Sequence, residues 1–217
     1  MSEEIFQRIA ELGVVPVIAI ENADAAIPLA DALIAGGLPV VEITFRTAAA
    51  TEVIRKIAKE RPQLLVGAGT VLTAANLEAA QSAGAAFAVA PGLNPQTVKQ
   101  ARAMGLPFLP GIATPSDIEL GLSLGCKFLK FFPAEANGGV AMLQALSGPY
   151  QPTGLRFMPT GGVTPANLES YLKLDTVAAV GGTWIAKKED LANGNWDDVR
   201  TRCQTAREIV TKTREKP

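Results

Sequence analysis

Short runs rich in β-branched and aromatic residues recur eight times along the chain, and no other feature narrows its possible folds so far. They are VVPVIAI (14–20), VVEITF (40–45), LLVGAGT (64–70), FAVAPG (87–92), FLPGIA (108–113), FLKFFP (128–133), RFMPTGG (156–162) and TVAAVGG (176–182). Their starts lie roughly 20 to 28 residues apart, too far for hairpins and suited to a helical crossover between parallel strands. The intervening segments carry helix-start signals. Asp24 precedes AAIPLADALIAGG, Thr73 precedes AANLEAAQSAG, and Asn94-Pro95 and Thr164-Pro165 open QTVKQARAMG and ANLESYL. Several of these segments end in glycine, as helix C-termini often do.

Eight strands alternating with helices predict an α/β chain whose sheet closes on itself, a (β/α)8 TIM barrel occupying 1–217 as a single domain. An open doubly wound sheet competes, but the first strand runs into ENAD and not into the G-x-G-x-x-G turn of dinucleotide-binding folds. Ahead of that strand, MSEEIFQRIAELG mixes Glu3, Glu4, Arg8 and Glu11 with apolar residues, which predicts an N-terminal amphipathic helix and no secretion signal. No apolar run approaches the roughly 18 residues that span a bilayer. A net charge of -1 supplies no basic excess for nucleic acid. A cytoplasmic chain without membrane or nucleic-acid partners is expected.

There is no histidine, and Cys126 and Cys203 stand far apart. Zinc hydrolase sites, Ser-His-Asp triads and His-ligated iron are thereby removed, and acid–base work falls to Glu, Asp, Lys or Tyr. No metal and no cofactor is expected.

In a (β/α)8 barrel the site lies at the C-terminal ends of the strands. Along VVEITFR (40–46), Val41, Ile43 and Phe45 share one face and Glu42, Thr44 and Arg46 the other. With helices outside, the polar set points into the barrel. The same parity in FLKFFP sets Lys130 with Phe128 and Phe132, opposite Leu129 and Phe131. An inward Lys130 meets Glu42 near the axis, either as a structural ion pair or as an amine nucleophile; an outward one snorkels between helices. A free lysine amine is only about 0.1% neutral near pH 7.5, so imine chemistry needs surroundings that disfavour the charge, and the flanking aromatic residues are such surroundings. Lys127 is a second cation close by in sequence. The other lysines, including Lys187, Lys188 and Lys216, fall on helices, charged loops or the tail and are assigned to solvent.

PTGG (159–162) and GGT (181–183) close the last two strands. Successive glycines let backbone N–H groups approach an anion, and phosphate sites of such barrels lie after strands seven and eight; tight turns are the alternative. Thr70 and Pro91 end the third and fourth strands at the mouth, where Thr70 could hold a substrate oxygen or cap the next helix. Arg46 suits bidentate capture of a 2-oxo acid carboxylate. A substrate with a 2-oxo acid at one end and a phosphate at the other follows. An imine on Lys130 would act as electron sink while Glu42 removes the C4 hydroxyl proton, a metal-free aldol cleavage.

These residues lie in stretches with a family likeness. GLPVVEITFR (37–46) and GCKFLKFFPAEANGG (125–139) closely resemble the two active-site signatures of the 2-keto-3-deoxy-6-phosphogluconate (KDPG) aldolase family, also called 4-hydroxy-2-oxoglutarate (KHG) aldolases. GAGTVL (67–72), APGLNP (90–95), MPTGG (158–162) and VGGTW (180–184) are similar to other segments of that family. The resemblance runs from about Leu12 to Trp184. It implies a class I aldolase, a lyase of the Entner–Doudoroff pathway that yields pyruvate and glyceraldehyde 3-phosphate. It implies Lys130 as the Schiff-base lysine, Glu42 as general acid and base, Arg46 as carboxylate partner and Thr70 as a pyruvate-pocket residue. Pro91 and Phe132 are implied as lining, with phosphate against Thr160, Gly161, Gly162, Gly181, Gly182 and Thr183. Thr183 stands where the family leads one to expect serine, keeping the hydroxyl. A homotrimer is also implied. The alternatives are an aldolase for the galactonate epimer, a phosphate-binding barrel isomerase, which would usually want histidine, and a non-catalytic phosphate-binding barrel.

Overall fold

The computed structural model describes residues 2–215, so Met1, Lys216 and Pro217 lie outside the described residues. Helix α1 (Ser2–Leu12) leads into β1 (Val14–Ile18), β2 (Val40–Thr44), β3 (Leu65–Gly69), β4 (Phe87–Val89), β5 (Phe108–Leu109), β6 (Gly111–Ile112), β7 (Phe128–Phe131), β8 (Arg156–Pro159) and β9 (Val180–Gly182). Between strands run α2 (Ala26–Ala35), α3 (Ala50–Glu60), α4 (Ala74–Ser82), α5 (Pro95–Ala103), α6 (Pro115–Ser123), α7 (Gly139–Tyr150) and α8 (Pro165–Leu172), followed by α9 (Lys188–Asn193) and α10 (Trp196–Arg214).

Every strand pair is parallel, in two arcs ordered β5-β4-β3-β2-β1-β9 and β6-β7-β8. The arcs meet at two seams. At one, β5 runs on into β6 through Pro110, which has no N–H to donate on the β7 side but whose carbonyl accepts from Lys130 N at 2.9 Å. At the other, bridges Phe157↔Val177 and Thr160↔Gly181 join β8 to the last strand. With Val14 paired to Val180, the ring closes as the expected (β/α)8 barrel. Two details differ from the sequence expectation. FLPGIA (108–113) is split in two by its proline, and TVAAVGG (176–182) is extended only at Val180–Gly182, with one bridge at Val177.

Strand alternation sorts the core into two layers. Inward residues Val15, Val40, Leu65, Phe87, Leu109, Phe128 and Met158 fill the N-terminal half of the barrel, while Val41, Ile43, Leu129 and Phe131 pack outward against helices. Helix α1 plugs the bottom. Its Ile9 is fully buried among the inward residues, and Phe6 meets Phe128 edge to face, with centroids 5.2 Å apart. Each such apolar side chain contributes about 1.5–3 kcal/mol when fully buried. Arg207 Nη1 donates to the Leu12 carbonyl at 2.6 Å, tying α10 to the end of that plug.

The starts of α4, α5 and α8 follow their sequence signals. Thr73 Oγ1 accepts from Asn76 N, Asn94 Oδ1 accepts from Gln96 N ahead of Pro95, and Thr164 forms a capping box with Asn167. Asp24 does not cap α2. Asn22 Oδ1 accepts from Asp24 N at 2.9 Å, so a 3-10 turn precedes a helix that begins at Ala26. Among the described residues no helix is long and apolar enough to cross a membrane.

Candidate active site

Lys130 occupies the third position of β7 and points inward above Phe128; Glu42 does the same on β2 above Val40. Lys130 is 5% exposed and Glu42 0%, and Lys130 Nζ lies 3.2 Å from Glu42 Oε1 and 3.5 Å from Oε2, across the barrel between residues 88 apart in sequence. The ring of Phe132 stands 5.4 Å from Nζ, a cation–π distance, and the Phe132–Pro133 peptide is cis. Burying such a pair gives the fold little, because desolvation offsets the attraction and apolar residues of similar volume often serve as well. A reason other than stability is therefore needed for an ammonium and a carboxylate in this position.

Strand β3 makes the room. Its inward positions are Gly67 and Gly69: a Cβ on Gly67 would stand 2.3 Å from the Phe87 ring, and one on Gly69 would stand 2.2 Å from Glu42 Oε1. The inward glycines of VGAG leave the space that the Glu42 carboxylate and the Phe87 ring occupy.

Toward the mouth, Thr44 Oγ1 donates to the Ile18 carbonyl at 3.3 Å and accepts from Arg46 Nε at 3.2 Å. Arg46 is exposed and held at the rim, apart from the buried pair, in a cleft of about 420 Å³ that it lines with Thr183. Thr70 directly follows β3 with φ 57, the one non-glycine residue in the left-handed region among the described residues. For a β-branched residue that conformation costs on the order of 1–3 kcal/mol, and such strain gathers at functional sites. The Pro91 carbonyl packs over Gly111, and Pro91 lines an apolar cavity of about 280 Å³ with Leu72. Lys127 is not a neighbour of the pair at the mouth. It precedes β7 and lines a cavity at the N-terminal face with Phe6 and Arg156.

The glycine clusters meet as expected from their strands. Thr160 is buried and bridges to Gly181, while Gly161 and Gly162 take φ 99 and 83 just ahead of α8. Gly182 ends β9 and Thr183 is exposed beyond it. The chain after Lys130 is laced to this turn: Ala134 N donates to the Thr160 carbonyl at 2.8 Å and Glu135 N to the Gly161 carbonyl at 3.0 Å. The Glu135 carboxylate accepts from the Tyr171 hydroxyl of α8, and its Cβ and Cγ pack over Gly162. Burial and this carboxylate both push the Tyr171 phenol well up. Sequence reasoning missed Glu135, whose partner comes from α8.

It also missed Asp190. This carboxylate is buried, accepts from Arg202 Nη1 and Nη2 at 2.5 and 3.1 Å and from Lys187 N at 2.8 Å, and so clamps the loop after β9 onto α10. The Arg202 donors hold the Asp190 carboxyl below the usual carboxylate range against the opposing effect of burial, with the Lys187 N–H adding to them. A lowered folded pKa means stability that is present above the ordinary aspartate value and lost as pH falls through the lowered one. Asp190→Asn is therefore expected to lower the urea midpoint at pH 7, with the gap to the parent shrinking near about pH 3. Equal gaps at both pH values would refute the coupling. Among the described residues, no three His, Cys, Asp or Glu side chains are grouped to hold a metal ion.

Comparison with known proteins fits this geometry. The family model described as KDPG and KHG aldolase matches residues 5–202. The chain is 46% identical over 198 residues to the 2-dehydro-3-deoxy-phosphogluconate aldolase of Haemophilus influenzae, covering 91% of this chain and 92% of that one. Among solved structures, KDPG aldolase of Legionella pneumophila, with pyruvate captured at low pH as a covalent carbinolamine intermediate, superposes with a TM-score of 0.89 at 38% identity, covering 95% and 98% of the two chains. The 2-keto-3-deoxy-6-phosphogluconate aldolase of Zymomonas mobilis with 3-phosphoglycerate gives a TM-score of 0.86 at 40% identity, covering 96% and 95%. By both the matched model and these relatives, the chain belongs to the KDPG and KHG aldolase family.

Proposed function

We propose that the chain, working as one 1–217 unit, is a class I aldolase that cleaves 2-dehydro-3-deoxy-6-phosphogluconate to pyruvate and glyceraldehyde 3-phosphate, and accepts 4-hydroxy-2-oxoglutarate as well. The buried contact between Lys130 and Glu42 carries the reading: the carboxylate is positioned to take a proton from the amine. The neutral amine attacks the C2 ketone, and the carbinolamine becomes an iminium as Glu42 returns its proton to the C2 hydroxyl, which leaves as water. Glu42 then removes the C4 hydroxyl proton, the C3–C4 bond breaks, and its electron pair moves onto the iminium as an enamine while the aldehyde leaves. Protonation at C3 and hydrolysis release pyruvate and restore Lys130.

In this reading Arg46 and Thr70 hold the carboxylate and oxygen of the keto acid, and Pro91 and Phe132 line the pocket. The phosphate rests against Thr160, Gly161, Gly162, Gly181, Gly182 and Thr183. The covalent pyruvate in the Legionella relative supports the role of Lys130, and the 3-phosphoglycerate in the Zymomonas relative supports a ligand with carboxylate and phosphate ends. A cytoplasmic homotrimer accompanies the proposal.

Reduction with borohydride in the presence of pyruvate, followed by intact mass and peptide mapping, tests it. A single pyruvate-sized adduct on Lys130 is expected. No adduct, or one on a surface lysine, would return Lys130 to a structural ion pair and make a phosphate-binding isomerase the reading to pursue.

A further inference from the structure

Glu21, Lys187 and Lys188 at the mouth have no part in the reaction as described above. The cleft of about 420 Å³ that holds Arg46 and Thr183 is also lined by Thr47, Lys187, Lys188 and Glu21. Lys188 Nζ lies 3.0 Å from Glu21 Oε1. Among the described residues neither Arg46 nor Lys187 has a carboxylate partner. Three cations thus face one carboxylate around a single cleft; with Lys188 paired to Glu21 and Arg46 assigned to the keto-acid carboxylate, the charge of Lys187 is left for a second anionic group.

Lys187 starts from a fixed point. Its backbone N–H donates to Asp190, which Arg202 holds in turn, so the side chain leaves a clamped backbone in the same loop as Thr183. Glu21 engages the neighbouring lysine and leaves the Lys187 ammonium free. We propose that Lys187 is a specificity residue that pairs with the terminal phosphate of the substrate, selecting phosphomonoester-bearing 2-keto acids over their unphosphorylated counterparts. The backbone N–H groups of the glycine clusters give the phosphate a place, and the ammonium adds a charge that unphosphorylated substrates cannot use. This inference rests on the aldolase reading.

The test is pyruvate release from 2-keto-3-deoxy-6-phosphogluconate and from unphosphorylated 2-keto-3-deoxygluconate, at one ionic strength, by the parent, Lys187→Ala and Lys187→Arg. A charge-assisted contact of this kind predicts that the ratio of kcat/KM between the two substrates falls about tenfold in Lys187→Ala, through KM, and largely returns in Lys187→Arg. Inorganic phosphate should inhibit the Ala variant more weakly than the parent. A parent that prefers the phosphorylated substrate, with that preference and phosphate inhibition intact in Lys187→Ala, would overturn the lysine assignment and leave the aldolase standing. A parent that releases pyruvate from neither substrate would overturn both.

Discussion

Lys130→Met is expected to reduce pyruvate release on the order of 10⁴-fold or more, because in the proposed mechanism the group that forms the imine is gone and no other step can supply the electron sink. The same change strands Glu42, which is fully buried, without its cation. Removing one member of a buried pair costs about 3–5 kcal/mol, so the variant should also unfold at lower urea. The double variant Lys130→Met, Glu42→Gln separates the two effects: it should regain most of the stability and none of the activity. Retention of more than a small fraction of pyruvate release by Lys130→Met would end the imine mechanism. Failure of the double variant to recover stability would show that the pair is needed for packing as well as for chemistry.

Gly69→Ala should also be strongly damaging, although the residue carries no chemistry. The added methyl would stand 2.2 Å from Glu42 Oε1 and 2.6 Å from its Cγ, and the neighbouring inward position is already filled by the Phe87 ring over Gly67. The carboxylate has to move, and a shift of about 1 Å in a reacting group can cost about 100-fold. The overpacking itself costs about 1–3 kcal/mol. Steady-state kcat should fall by about that factor while borohydride still traps pyruvate on Lys130, since the amine is not displaced directly. Wild-type kcat in Gly69→Ala would mean that Glu42 is not the proton acceptor in the slow step.

The parts of the site that could be read in advance are those governed by strand alternation. A period of two decides the side of the sheet, so Glu42 and Lys130 could be turned inward on paper, and closure of eight strands brings inward residues together. The split at Pro110 was not read from FLPGIA, although proline cannot donate to a ladder. Side-chain contacts between separate elements were not visible. Glu135 meets Tyr171, and Asp190 meets Arg202, only after β7, β8, β9 and α10 have come side by side. Lys187 and Lys188 stand in KKED, which reads as a solvated charge run, and only the cleft shared with Arg46 and Thr183 gives them another use. Lys127 illustrates the converse: only two residues separate it from Lys130, yet a strand carries its two ends to opposite faces of a barrel.

The cross-barrel contact also bears on how faithfully the chain assembles. Slipping β7 by one residue against its neighbours would turn Lys130 into the helix layer now occupied by Leu129 and Phe131, and would leave Glu42 enclosed with no cation. A uniformly apolar interior would tolerate that slip far better, since one hydrophobic face could replace another. The ammonium and carboxylate thus proofread strand alignment between two distant parts of the chain, and catalytic turnover doubles as a report that the ring has closed in register.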